Sequence, residues 1–148
     1  MTMATISIKA ESTDTPTTEV HIGKHKILID EPALFGGNDL APSPVEFLLA
    51  SIAGCISAIG HWQASQMGIR IEHLVTHISG QINSDAFFGK SYEKRCGFQK
   101  IEIQIKADAF WSEEEKAVWL DAVMKRCPVI DNISNQTIVE FLPDLKGM

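Results

Sequence analysis

Ser43-Pro44-Val45-Glu46-Phe47-Leu48-Leu49-Ala50-Ser51-Ile52-Ala53-Gly54-Cys55-Ile56-Ser57-Ala58-Ile59-Gly60 is the stretch from which the rest of the chain can be read. Ser43 is placed as an N-cap, Pro44 at the first helical position and Glu46 three residues after the serine, the pattern of a capping box with a preset first turn. The helix so opened runs to about Met67 and is apolar on nearly every side, with Ala50, Ala53, Gly54, Ala58 and Gly60 reducing its girth. A helix of that kind must be covered all round. One short chain has few apolar elements with which to wrap it, so pairing with a second copy through the small residues is expected, giving a symmetric dimer with a shared core. The apolar run from Phe47 to Gly60 contains Ser51 and Ser57 and reads as a helix buried in protein, too short to cross a bilayer.

Outward from this helix, the N-terminal side alternates as strands do. Thr5 to Ala10 puts Ile6, Ile8 and Ala10 on one face, a turn follows over Asp14 to Thr18, and Glu19–Ile22 and His25–Asp30 are joined by Gly23-Lys24 in a two-residue II′ hairpin loop. Residues 30–43, rich in Pro and Gly, form an irregular connection into the helix. On the C-terminal side, Arg70 to Asn83 and Gly97 to Ala109 read as strands joined by the loop Ser84 to Cys96. Ser112 and Glu115 make a second capping box for a helix ending near Arg126. Its three acids in the first turn and Lys125 and Arg126 in the last suit the helix dipole. A short helical turn over Val129 to Ile133 and a closing strand, Thr137 to Leu142, complete the order β-β-β-α-β-β-α-α-β. That order predicts a single α+β domain over residues 1–148.

Composition narrows the function. With 148 residues, 45% of them hydrophobic, the chain suffices for one globular core. A net charge of -6 without clustered Lys or Arg argues against a nucleic-acid partner and against an acidic membrane surface. Met1 to Ala10 lacks a basic region followed by an apolar run, so no secretory signal is expected. Three cysteines, Cys55, Cys96 and Cys127, form no CxxC pair and no even disulfide framework, which fits a reducing, cytoplasmic setting with one or two functional thiols.

The candidate chemistry lies in those thiols. Cys55, near the middle of the apolar helix, reads either as a small packing residue or as a nucleophile. Cys127 precedes Pro128, which biases it out of the helical region and opens a new turn. Its sulfur is thereby placed at a helix N-terminus, where backbone N–H groups favour a thiolate; the alternative is that the Cys-Pro step only ends the preceding helix. His73 and His77, like His21 and His25, share a strand face but lie about 13 Å apart along it, too far to chelate one ion, so no metal is expected. Cys96, beside Lys94 and Arg95, reads as incidental.

The run Asp30-Glu-Pro32, Gly36-Gly37-Asn38, Pro42-Ser-Pro-Val-Glu-Phe-Leu-Leu-Ala50 and Ala53-Gly-Cys55, followed by Cys127-Pro-Val129, resembles the OsmC/Ohr family, in its OsmC-like branch. The resemblance implies an intertwined homodimer with antiparallel sheets wrapped around long central helices. It also implies a peroxidase that reduces small organic hydroperoxides, with Cys55 matching the attacking cysteine and Cys127 the resolving one. No bound cofactor is implied, only an external dithiol reductant of the lipoyl type. Two features depart from the peroxidase branches. No arginine precedes Arg70, and Val45 rather than an acid follows Pro44, with the acid at Glu46. A Cys55 thiolate then needs another partner, for which His21, Lys24, His25 and Lys26 are candidates. His25 resembles a histidine of the OsmC-like branch, and Glu46 is a candidate site residue beside its capping role. Trp62, on the Cys55 face, with His61, Phe87 and Phe88 are candidate walls for an apolar substrate, or core packing. The departures leave an alternative open: an OsmC-like ligand-binding or sulfur-handling protein with little peroxidase activity.

Overall fold

The structure, a computed structural model, describes residues 3–142. Its chain divides into two compact units, one ending at Ser51 and the other starting at Ile52.

In the first unit, β1 (Lys9–Ser12), β2 (Thr18–Ile22) and β3 (His25–Ile29) form an antiparallel meander in the order β1-β2-β3. Ile22 pairs with His25 across the Gly23-Lys24 turn. Of these two turn residues only Gly23 has a positive φ, +57°, as a II′ turn requires. Strand β1 begins four residues later than the alternation of Ile6, Ile8 and Ala10 suggested, and all of it is exposed. Its register is set by the partner β2, which reaches only to Lys9, not by the apolar spacing ahead of it.

The connection into the helix is irregular but tightly bonded. Buried Asp30 accepts the backbone N–H of Glu31 at 2.8 Å on one carboxylate oxygen, and those of Asn38 at 3.2 Å and Leu40 at 3.1 Å on the other. The Asn38 side chain donates to Thr17 Oγ1 at 2.9 Å. A side chain at Gly37 would collide with the Glu31 carbonyl, so the second glycine of the pair is required by close backbone approach. These bonds deliver the chain to α1 (Pro44–Gln66).

In the second unit, α1 buries Ile52, Ile56, Gly60 and Ala64, a stripe at four-residue spacing. The helix is expected to be covered all round, but in the single chain only that stripe is buried, and Val45, Leu48 and Trp62 are exposed. At 23 residues α1 is longer than its unbroken apolar run and is long and apolar enough to cross a membrane by length and composition. Strands β4 (Ile71–Ile82) and β5 (Phe98–Ala109) form a long antiparallel ribbon, with α2 (Ser84–Phe87) in their connection. Ile101, Ile103 and Ile105 are more covered than the polar residues between them, as their alternation indicates.

Helix α3 (Glu113–Arg126) opens on the complete capping box of Ser112 and Glu115, and Trp119 and Val123 are its buried residues. The Trp119 indole donates to the Gly60 carbonyl at 2.8 Å. A Cβ at Gly60 would lie 3.0 Å from the Trp119 ring, so this glycine makes room for the tryptophan within the chain. Helix α4 (Pro128–Ser134) follows after one non-helical residue.

Residues 137–142 are not a strand. They join no strand ladder among the described residues, and Ile138 and Phe141 are 85% and 94% exposed. A run of β-branched and aromatic residues reports only that a segment suits a sheet; a ladder needs a neighbour with free N–H and C=O groups. The architecture is therefore α+β, with two antiparallel sheets and four helices described.

Candidate functional site

Cys127 is the single residue between α3 and α4, with extended φ −79° and ψ 107°. Pro128 has forced this break, since it disfavours helical geometry at the residue before it and suits the first position of the helix after it. The side chain turns inward and is completely buried. Its Sγ accepts the Ile130 N–H at 3.5 Å, so the expected N-cap geometry is present.

The expected activation is not. Burial, followed by the neighbouring Cys55 thiol, raises the Cys127 pKa above the ordinary thiol value, and the Ile130 N–H offsets this only in part. A helix start favours negative charge, but removal of the sulfur from water disfavours it more. Cys127 thus keeps its proton.

Cys55 lies midway along α1 and is partly exposed. It is three residues past Ile52 and one before Ile56, both fully buried, so it stands at the margin of the helix's covered stripe. The Cys55 side chain lies close enough to Cys127 to shift its titration, which joins two thiols that are far apart in sequence. Packing of α3 on α1 through Trp119 and Gly60 brings the α3–α4 junction to this face. Both cysteines are free thiols, one reachable from solvent and one not. That arrangement has the parts for attack by one sulfur and disulfide closure by the other.

Several of the remaining expected residues have partners of their own. In the first unit, His25 is exposed at the start of β3, opposite Ile22. His21 and Lys26 both engage Glu19, the former at 2.7 Å. Glu46 accepts both the backbone N–H and the hydroxyl of Ser43 at 2.7 Å each. The Ser43 hydroxyl, then its N–H, hold the Glu46 carboxyl below the usual carboxylate range. This is half of a capping box, with the serine donating rather than capping the Glu46 N–H. In the second unit, Trp62 is partly exposed. Its ring lies under the Arg126 guanidinium, 3.8 Å from the ring centroid, and Arg126 also donates to Gln63 at 2.9 Å. Phe87 and Phe88 meet edge to face. Cys96 is exposed, and no group of three or more His, Cys, Asp or Glu among the described residues could hold a metal.

Sequence reasoning missed an apolar cavity of about 280 Å³ between β5 and α3, lined by Ile103, Ile105, Ala107, Trp119, Leu120 and Met124 with Lys116 at its edge. The signal was available: the isoleucine face of β5 and the apolar face of α3 leave space where no large side chain is placed to fill it.

A family described as OsmC-like protein matches residues 36–141, a span that holds both cysteines. The chain belongs to the OsmC-like family. Solved structures agree in fold. An OsmC-like protein from Mycoplasma pneumoniae is 20% identical, with 88% of each chain covered and a TM-score of 0.76. An organic hydroperoxide resistance protein OsmC from Legionella pneumophila is 20% identical over 90% of this chain and 91% of that one, with a TM-score of 0.62. An organic hydroperoxide resistance protein from Elizabethkingia anophelis is 18% identical over 88% of each chain, also at 0.62. A search of curated proteins finds no match.

Proposed function

We propose that this OsmC-like chain is a thiol-dependent peroxidase of organic hydroperoxides, working as a cytoplasmic homodimer. The observation that carries the reading is the contact between a partly exposed Cys55 and a buried, proton-retaining Cys127. The Cys55 thiolate attacks the terminal oxygen of R–O–O–H and breaks the O–O bond. Cys55 becomes a sulfenic acid, and the alkoxide leaves as an alcohol after taking a proton. Cys127 then attacks the sulfenic sulfur, its proton leaves with the hydroxyl as water, and a Cys55–Cys127 disulfide forms. An external dithiol of the lipoyl type returns both thiols and is itself oxidised to a disulfide. Because the resolving thiol is held protonated, it does not compete for peroxide. The substrate class is supported by the likeness to the Legionella and Elizabethkingia proteins, both described as organic hydroperoxide resistance proteins. The uncovered faces of α1, including the open space around Gly54, support pairing with a second copy.

A second reading is favoured by the absence of any arginine before Arg70 and by the engagement of Glu46 with Ser43. Without those groups free to hold a thiolate, the fold serves ligand binding or another sulfur chemistry. Steady-state consumption of cumene hydroperoxide and of hydrogen peroxide with a dithiol reductant separates the two. The peroxidase reading expects turnover that prefers the organic peroxide; a rate no faster than that of a free thiol supports the second.

A further inference from the structure

Arg126 and Cys127 are consecutive, and each reaches a different place on α1. Cys127 meets Cys55, while the Arg126 guanidinium covers the ring of Trp62 and donates to Gln63, about two turns further along. Cys127 is the only non-helical residue between α3 and α4, so whatever holds the last residue of α3 also fixes where the hinge begins. A guanidinium stacked on an indole and bonded to an amide is held in both distance and orientation, which an ammonium or a lone hydrogen bond does not achieve.

We infer that Arg126 is a positioning residue for the thiol pair, a clamp that ties the α3–α4 junction to Trp62 and Gln63 and so keeps the Cys127 sulfur over Cys55. The inference rests on the Cys55/Cys127 cycle proposed above and adds to it what sets the efficiency of disulfide closure. Closure needs the two neighbouring sulfurs to approach to about 2.05 Å, a movement that stays short only while the junction stays where it is. With the clamp removed, the junction samples positions from which Cys127 cannot reach Cys55, and the effective concentration of one thiol for the other falls.

The test is the equilibrium of the full-length reduced protein with glutathione disulfide, which yields the protein disulfide and two glutathione molecules, read by mass spectrometry after acid quenching. Arg126→Ala should lower the effective concentration of the pair by about three- to tenfold. Arg126→Lys, which keeps a cation over the ring, should recover part of that loss. Trp62→Leu should lower it too, and the double variant should fall no further than the worse single one, because both remove the same contact. A merely structural loss weakens the reduced and oxidised forms alike and cancels from this ratio. An unchanged ratio in Arg126→Ala, or additive losses with Trp62→Leu, overturns the clamp. Should Arg126→Ala not fold, Arg126→Gln decides by the same criterion. Consumption of cumene hydroperoxide by the unaltered protein is measured alongside. A silent peroxide assay counts against the peroxidase reading alone, and the glutathione ratio still decides the clamp.

Discussion

Midway along α1, Cys55 is partly open to solvent inside a continuous helix; at the α3–α4 junction, Cys127 is fully buried and stands between two helices. By local geometry Cys127 has the better claim to a thiolate, since it has a helix N-terminus and a backbone N–H on its sulfur. Burial reverses that claim. The lesson is that a motif specifies donors, whereas the fold specifies how much water is left around them, and for a thiol the second effect is the larger one here.

The comparison breaks most visibly if the two sulfurs are exchanged in role. Cys55→Ser should reduce peroxide turnover by about a thousandfold or more, as removal of a nucleophile does. Retained turnover would transfer the attacking role elsewhere. Cys127→Ser should still consume the first equivalent of organic peroxide, then stop, with Cys55 advancing to sulfinic acid under excess peroxide, visible as a mass increase on the Cys55 peptide. A Cys127→Ser variant that cycles normally would remove the resolver from the account.

A smaller effect sharpens the role of burial. Trp119→Phe removes the 2.8 Å indole bond to the Gly60 carbonyl, which keeps its place in the helix ladder. A loss of about 0.5–1.5 kcal/mol in urea unfolding is expected from that bond. The α1–α3 contact also shields Cys127, so its alkylation by iodoacetamide should quicken in Trp119→Phe while that of Cys55 changes less. Ser112→Ala, at the far end of α3, removes the hydroxyl that accepts the Glu115 N–H at 3.2 Å. It should cost about 1 kcal/mol and leave both alkylation rates as they were.

The smallest expected effect is on pH dependence. The Cys127 pKa is raised in the folded chain, so the folded state keeps its proton to higher pH than the unfolded state does. That contribution to stability is complete below the unfolded thiol's pKa, about 8.5, and is lost as pH rises through the folded value. Urea midpoints should therefore decline above about pH 8.5. The decline should flatten in Cys127→Ala.

Much of this was readable in advance where a residue acts on its own backbone. Pro128 ends α3 and opens α4, Gly23 makes the hairpin, and Ser112 with Glu115 starts α3, each through local sterics or bonds within three residues. What escaped depends on partners distant in sequence. Residues 137–142 have the composition of a strand but no described neighbour to complete one. The Trp62–Arg126 stack joins elements whose meeting no spacing announces. Ser43 and Glu46 show an intermediate case: the pairing was legible, but the direction of its hydroxyl bond was not. The family resemblance named both cysteines, and their side-chain contact became visible only in the fold.

Which sulfur reacts first decides the roles of the two thiols. One equivalent of cumene hydroperoxide, added to the reduced protein and quenched over milliseconds to seconds in the presence of a sulfenic-acid trap, reads this directly by peptide mass spectrometry. Trap is expected on Cys55 at early times, strongest in Cys127→Ser, giving way in the unaltered protein to a Cys55–Cys127 disulfide. Trap first on Cys127, or a slow reaction that leaves both thiols free, would contradict this assignment.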